Sequence, residues 1–143
     1  MLKLTYTENG FWLEQFTQPM EDWVNQRVLL ALRSGTPLYV EPSTAAFLLP
    51  MNLPHWDELE MLVQQEGSNA IGLAVCDEDY MEVSLDGTWL VSDPHSEEGI
   101  FVTTMSDRAE FFLYTFWKEA ETMASIQDSM TPTYFVRWGS GER

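Results

Sequence analysis

The chain has 143 residues, of which 45% are hydrophobic and 13% aromatic, and its formal net charge is −16 at pH 7. This length and apolar content predict a single folded domain over 1–143 and exclude an intrinsically disordered chain, which would have too few aromatic side chains to offset the entropy of ordering. The acidic excess excludes nucleic-acid binding, which needs cations to neutralise phosphates, and disfavours an anionic membrane surface.

The first residues and the cysteine content indicate where the protein works. MLKLTYTENG contains no apolar signal segment, and no run of the sequence reaches the roughly 18 apolar residues of a membrane span. Cys76 is the single cysteine, which excludes an internal disulfide and predicts a cytoplasmic protein. Because acidic residues follow Cys76 directly, we expect a buried thiol rather than a reactive thiolate.

The first element in chain order is a predicted β-hairpin. LKLTYT and FWLEQF alternate apolar and polar residues on either side of Asn9-Gly10, a dipeptide typical of two-residue hairpin turns. Counting back from this turn pairs Tyr6 with Leu13. The apolar face of the hairpin then comprises Leu2, Leu4, Tyr6, Phe11 and Leu13.

The following segment, TQPMEDWVNQRVLLALRSG, has proline and acidic residues at its start and Arg33 and Gly35 at its end. That polarity predicts a helix, whereas the apolar run VLLAL leaves a strand over 27–33 as the alternative. PLYVE predicts a short strand, and PSTAAFLLP stays ambiguous. HWDELEMLVQQEG predicts a helix that ends at Gly67.

Four strands in succession are predicted between 70 and 105: AIGLAV, YMEVSL, TWLVS and IFVTTM. Asp86-Gly87 predicts a second two-residue turn, which would pair Val83 with Leu90. Short connections favour antiparallel neighbours, so the four strands would form a meander. In such a meander the acidic loops CDED (76–79) and DPHSEEG (93–99) lie at the same end of the sheet.

The clearest helix is predicted over about 106–125, with Ser106 as its N-cap and an apolar stripe at helical spacing. TYFVRW predicts a last strand, and a tail over about 139–143 is expected to fray. The predicted fold class is therefore α+β. An antiparallel sheet, made of the N-terminal hairpin and the meander over 70–105, packs against helices, the longest at about 106–125.

Acidic residues are concentrated in the middle of the chain. Residues 34–107 contain fourteen Asp and Glu and no Lys or Arg. This distribution favours a basic protein as partner, since opposite charges speed encounter while buried aromatic anchors supply affinity. The leading prediction is a non-enzymatic interaction module, or an inhibitor or mimic that occupies a partner's cationic site. Its candidate partner-binding residues are Glu78, His95, Phe111, Tyr114 and Trp117, unless the last helix is buried on two sides.

The alternative prediction is a low-affinity divalent-cation binder, with Ca²⁺ as the metal and no other cofactor. Ca²⁺ takes about six to eight oxygen ligands. The two acidic loops would supply them from Asp77, Asp79, Asp93, Glu97 and Glu98. An EF-hand loop beginning at Asp77 does not fit, because its fifth position is Met81 and its sixth is Glu82 instead of glycine. Loops that are merely solvated, and a homodimer, stay open as further alternatives.

Catalytic signatures are missing from the sequence. It contains no Gly-x-Ser-x-Gly elbow, no P-loop and no dinucleotide-binding glycine pattern. Pairs of carboxylates are too numerous here to indicate glycoside hydrolysis. The sequence therefore predicts no catalytic residues and no enzyme.

Overall fold

The computed structural model describes residues 1–66, 70–127 and 136–137. Its elements are β1 (Leu2–Thr7), β2 (Gly10–Gln15), α1 (Met20–Ser34), β3 (Tyr39–Pro50), α2 (Trp56–Glu66), β4 (Ile71–Val75), β5 (Tyr80–Val91), β6 (Gly99–Thr103), α3 (Asp107–Gln127) and β7 (Val136–Arg137). The strands form one antiparallel sheet in the order β2-β1-β6-β5-β3-β7, and β4 also pairs with β5. The predicted α+β class is confirmed. The tail over 139–143 lies outside the described residues.

The two faces of this sheet differ because side chains alternate along each strand. The core face carries cross-strand neighbours such as Leu4 and Phe101, or Phe47 and Val83, and it packs beneath α2 and α3. The opposite face, called the second face below, carries Thr5, Leu90 and Ile100 and lies beneath α1. No helix in the described ranges is long and apolar enough to cross a membrane.

Helix α1 is the correct choice between the two alternatives over 27–33. Glu21 and Asp22 lie in its first turn and Arg33 in its last, as the helix dipole favours. Gly35 ends the helix in the left-handed conformation, with φ at 73°. The Thr36 N–H donates to the Ala31 carbonyl at 2.9 Å, which satisfies one of the last free carbonyls of the helix.

The N-terminal hairpin forms as predicted, but the predicted register is wrong by two residues. Tyr6 pairs with Phe11 rather than with Leu13, because the chain reverses at Glu8 and Asn9. The Asn9 N–H donates to Thr7 Oγ1 at 3.2 Å and helps to close this earlier turn. A shift of two residues leaves every side chain on its original face, so the predicted apolar face is still correct.

The predicted turn at Asp86-Gly87 is wrong, and the segment 70–105 has three strands instead of four. Strand β5 runs straight through both residues, because β3 pairs with it along its whole length. On the other edge of β5, β4 and β6 follow one another and meet beside Asp86. The Asp86 N–H donates to the Ala70 carbonyl at 2.9 Å, and its carbonyl accepts from Thr103 Oγ1 at 2.6 Å.

Gly87 is explained by close packing rather than by a turn. Its φ is not positive. A Cβ atom at this position would collide with the Val102 carbonyl oxygen and lie 2.6 Å from Cζ of Phe101. Only glycine therefore allows β6 and the Phe101 ring to approach β5 this closely.

Candidate functional site

The two acidic loops lie at opposite ends of β5, so the prediction that they meet is wrong. Loop 76–79 precedes Tyr80, whereas the β5–β6 loop (92–98) follows Val91. Strand β5 has 12 residues. At the usual rise per residue the loops are roughly 35 Å apart. The error has one cause: the missing turn at Asp86-Gly87 would have brought the chain back to the same end.

The predicted metal ligands are divided between these two ends. Asp77 and Asp79 lie at one end, and Asp93, Glu97 and Glu98 lie at the other. One ion cannot bridge such a distance. Within residues 1–66, 70–127 and 136–137, no group of three His, Cys, Asp or Glu side chains could hold a metal ion. The predicted Ca²⁺ site, made from both loops together, is therefore wrong.

Two of these carboxylates stabilise their own loops. Asp77 Oδ1 accepts hydrogen bonds from the N–H groups of Asp79 and Tyr80, at 2.8 and 2.9 Å. Asp93 Oδ1 accepts from the His95 N–H at 2.8 Å. Such side-chain-to-backbone bonds are typical of tight turns. Cys76, the first residue of loop 76–79, is exposed and not buried as expected, because it lies past the end of β4.

The predicted partner-binding residues do not form one surface. Trp117 is fully buried, and its ring contacts Phe47 edge-on at a centroid distance of 4.8 Å. Tyr114 packs partly against the core, while Phe111 is 63% exposed. Glu78 and His95 are exposed in the two separate loops. Assigning Trp117 to a recognition surface is wrong, since α3 is covered by both the sheet and α2.

Helix α1 carries an exposed apolar surface that the sequence analysis did not predict. None of its residues is buried. Nine large apolar side chains are exposed among the described residues, and five of them fall between 29 and 40. This 29–40 patch comprises Leu29, Leu30, Leu32, Tyr39 and Val40. They do not all face one way, since Tyr39 and Val40 follow each other in β3 and point to opposite faces of the sheet. Exposed apolar side chains that adjoin one another are typical of interaction sites, and Leu30 and Val40 both adjoin the second face.

The run VLLAL contained a signal for this patch. Successive residues of an α-helix are about 100° apart, so Leu29, Leu30 and Leu32 cannot all point to the same side. One sheet face can cover only part of such a helix. The missing periodicity, which left a strand as an alternative, thus indicated a helix with apolar residues directed away from the core.

A cleft of about 390 Å³ lies between α1 and the second face. Leu30, Ala31 and Ser34 line it from α1, and Leu90 and Ile100 from the sheet. Thr5, Thr7, Arg27, Thr36, Ser92 and Glu98 are among the polar residues that complete the lining. This volume is within the range of about 300–1,000 Å³ that is usual for ligand-binding clefts.

Aromatic rings and cations attach the first half of α1 to the sheet. The rings of Phe16 and Trp23 stack at a centroid distance of 6.4 Å. Lys3 Nζ lies 4.6 Å from the Phe16 ring centroid and also forms an ion pair with Glu14 at 3.0 Å. The Arg27 guanidinium lies 5.8 Å from the Trp23 ring centroid. These contacts leave the second half of α1, with its leucines, above the open cleft.

The charge at one end of the cleft is unbalanced. Asp93, Glu97 and Glu98 are all exposed in the β5–β6 loop, and Glu98 lines the cleft itself. None of the residues that the structure describes forms an ion pair with these three carboxylates. The cleft therefore combines an apolar floor with a negative end at Glu98.

A protein-family model described as Alr0857-like matches residues 1–121. The match runs from β1 into α3 and includes α1, the cleft and the β5–β6 loop. No curated protein and no solved structure matches the chain. With the match covering well over half of its residues, the chain belongs to the Alr0857-like family.

Proposed function

We propose that this protein is a non-enzymatic interaction module that binds a basic partner protein through α1 and the adjoining cleft. The observation that supports this most strongly is the exposure of Leu29, Leu30 and Leu32 on α1, a helix with no buried residue. A monomeric protein gains no stability from leucines that stay in water, whereas an interface buries them. Such a module acts as an inhibitor where it covers a functional cationic site of its partner.

The charge distribution supports a basic partner. The chain carries −16, and fourteen of its acidic residues fall in the segment 34–107, which has no Lys or Arg. The β5–β6 loop carries three exposed carboxylates, and one of them, Glu98, lines the cleft. Complementary charges of this kind speed the encounter with a cationic protein and disfavour other partners. A second copy of this chain carries the same net charge, so its approach is opposed by repulsion.

The cytoplasm is the location we propose for this interaction. Cys76 is exposed and has no second cysteine in the sequence with which to form an internal disulfide. Free exposed thiols persist in reducing compartments and are oxidised elsewhere.

The test is affinity capture with three forms of the protein, using an extract of the cells that produce it. One variant combines Leu29→Gln, Leu30→Gln and Leu32→Gln. The control is Met61→Gln, which removes an apolar side chain of α2 that is 57% exposed. Retained proteins are identified by mass spectrometry, and binding is then repeated with each purified candidate.

We expect wild type and the Met61→Gln control to retain the same basic protein, to release it at high salt, and to bind it when purified. The triple variant should lose it while keeping a native circular dichroism spectrum. Equal binding by the triple variant would contradict the proposal, as would the lack of any basic protein retained at low salt.

A further inference from the structure

We propose that the cleft beneath α1 binds a cationic, amphipathic peptide segment of the partner, with the lysine or arginine side chains of that segment at the Glu98 end. An apolar side chain of the segment contacts Leu30, Leu90 and Ile100. This inference rests on the proposed function and specifies the chemistry of the segment that is bound.

The dimensions of the cleft suit a short peptide. Its α1 wall extends from Arg27 to Ser34, which is about 10 Å along the axis of a helix. Its volume of about 390 Å³ is near the lower end of the range of about 300–1,000 Å³ for ligand-binding clefts, which suits a short segment. Exposed residues, among them Leu30, Ser34 and Thr36, line it, so that it opens to solvent along α1.

The cleft continues into the 29–40 patch and thus offers a surface longer than its own volume. Leu30 belongs to both, and Leu90 in the floor pairs directly with Val40 of the patch. A peptide with apolar residues on one side contacts the cleft together with Leu30 and Val40, the residues of the patch that adjoin it. A compact small molecule would fill the cleft and leave Val40 in water, which is why we infer a peptide segment.

The orientation of the segment follows from the ends of the cleft. Lys3 Nζ lies 5.8 Å from the ring centroid of Trp23, which is near the start of α1. At the other end, Tyr6 pairs with Gly99, so that Glu98 lies next to the end of β1. Arg27 is therefore on the positive side of the cleft and Glu98 on the negative side. Cationic residues of a peptide are attracted to the Glu98 end and repelled from the Arg27 end.

The probe is a synthetic twelve-residue peptide with leucines at helical spacing and three lysines at one end. Two matched peptides replace the lysines with glutamates or the leucines with serines. Binding to the full chain is measured by fluorescence anisotropy of the labelled peptide. The double variant Glu97→Gln, Glu98→Gln is compared with Glu78→Gln, Asp79→Asn, which removes the same charge from the opposite end of β5.

We expect the lysine–leucine peptide to bind more tightly than either matched peptide. The Glu97, Glu98 double variant should weaken binding about five- to twentyfold, as expected for the loss of two exposed ion pairs. The control double variant should change binding less than about twofold, because salt screens charges beyond about 10 Å. Amide chemical shifts of Ala31, Ser34 and Ile100 should move on binding.

Three results would overturn the inference: no binding of the lysine–leucine peptide, equal binding of the glutamate peptide, or equal losses in both double variants. The proposed function is judged separately, by capture with the α1 leucine variant. If capture retains a basic protein that needs these leucines while the lysine–leucine peptide does not bind, the partner contacts the outer side of α1 and does not use the cleft.

Discussion

Helices α1 and α3 lie on opposite faces of one sheet, yet the core uses them very differently. Over 107–123, where side-chain burial is described, helix α3 buries six residues: Ala109, Glu110, Leu113, Phe116, Trp117 and Ala120. Helix α1 has 15 residues and buries none. Both helices are rich in large apolar side chains, so apolar content alone does not show which helix completes the core. The arrangement of those side chains around the helix axis does.

This difference follows from periodicity and from the neighbours of each helix. Each buried apolar residue of α3 lies three or four positions from another one, so together they form a single stripe along the helix. Helix α2 covers a flank of α3, where the rings of Trp56 and Phe116 meet at a centroid distance of 4.6 Å. Helix α1 has leucines on more than one side and makes no extensive contact with a second helix among the described residues. Its outer leucines are available to a partner.

The largest expected effect is that of Trp117→Ala in α3. The side chain is fully buried between Phe47 and Phe11, and its removal leaves a large cavity. We expect the free energy of unfolding to fall by about 3–5 kcal/mol. Urea denaturation measures it. The control on the same helix is Phe111→Ala, which is 63% exposed and should cost less than about 1 kcal/mol. Equal losses would contradict the assignment of α3 to the core.

The second-largest effect concerns two ion pairs, one formed by a residue of α3 and the other near α1. Glu110 of α3 is 2% exposed and accepts hydrogen bonds from the Met1 ammonium and from the Met105 N–H. Glu110→Gln leaves that buried ammonium without its counter-charge and should cost about 3 kcal/mol. Near α1, Glu14→Gln removes a half-exposed partner of Lys3 and should cost less than about 1 kcal/mol. Thermal denaturation measures the two variants side by side. A larger loss of stability for Glu14→Gln than for Glu110→Gln would contradict this prediction.

A smaller effect tests how tightly the sheet is packed beneath α3. Gly87→Ala forces a Cβ atom against Phe101 and the Val102 carbonyl, and should cost about 2 kcal/mol in urea denaturation. Asp86→Ala, one residue earlier, changes an exposed side chain and should be nearly neutral. If both residues formed a hairpin turn, both substitutions would destabilise the protein.

The smallest effect is expected on α1 itself. Leu32 is 73% exposed, so Leu32→Gln should change the free energy of unfolding by less than about 0.5 kcal/mol. The measurement is the midpoint of a urea titration. A loss of several kcal/mol would show that the leucine belongs to a packed interior and would remove the main support for the proposed function.

Local signals in the sequence predicted the parts of the fold that local contacts determine. Ser106 caps α3 as expected, and its Oγ accepts from the Ala109 N–H at 3.1 Å. The turn signal at Asp86-Gly87 failed because pairing with β3, β4 and β6 outweighs the preference of two residues. Those pairings join segments that lie far apart in the chain, and no short pattern records them.

The candidate site was harder to predict for the same reason. Its lining comes from three separate segments, 5–7, 27–38 and 90–100. The acidity of the β5–β6 loop is evident in the sequence, but the prediction that this loop lies beside loop 76–79 is wrong. The structure places it across the cleft from α1, since Ser92 and Glu98 line that cleft together with residues of α1. Apolar residues of α1 could be seen in the sequence, whereas their exposure depends on tertiary packing.

Hydrogen–deuterium exchange of the backbone amides tests most directly whether α1 is a binding element and α3 a core element. In the free protein we predict that amides of α1 exchange at least about tenfold faster than those of α3, since a helix without buried residues opens locally at low cost. Addition of the lysine–leucine peptide should slow exchange in α1 and leave α3 unchanged. Equal protection of the two helices in the free protein, or unchanged exchange in α1 with the peptide bound, would contradict this account.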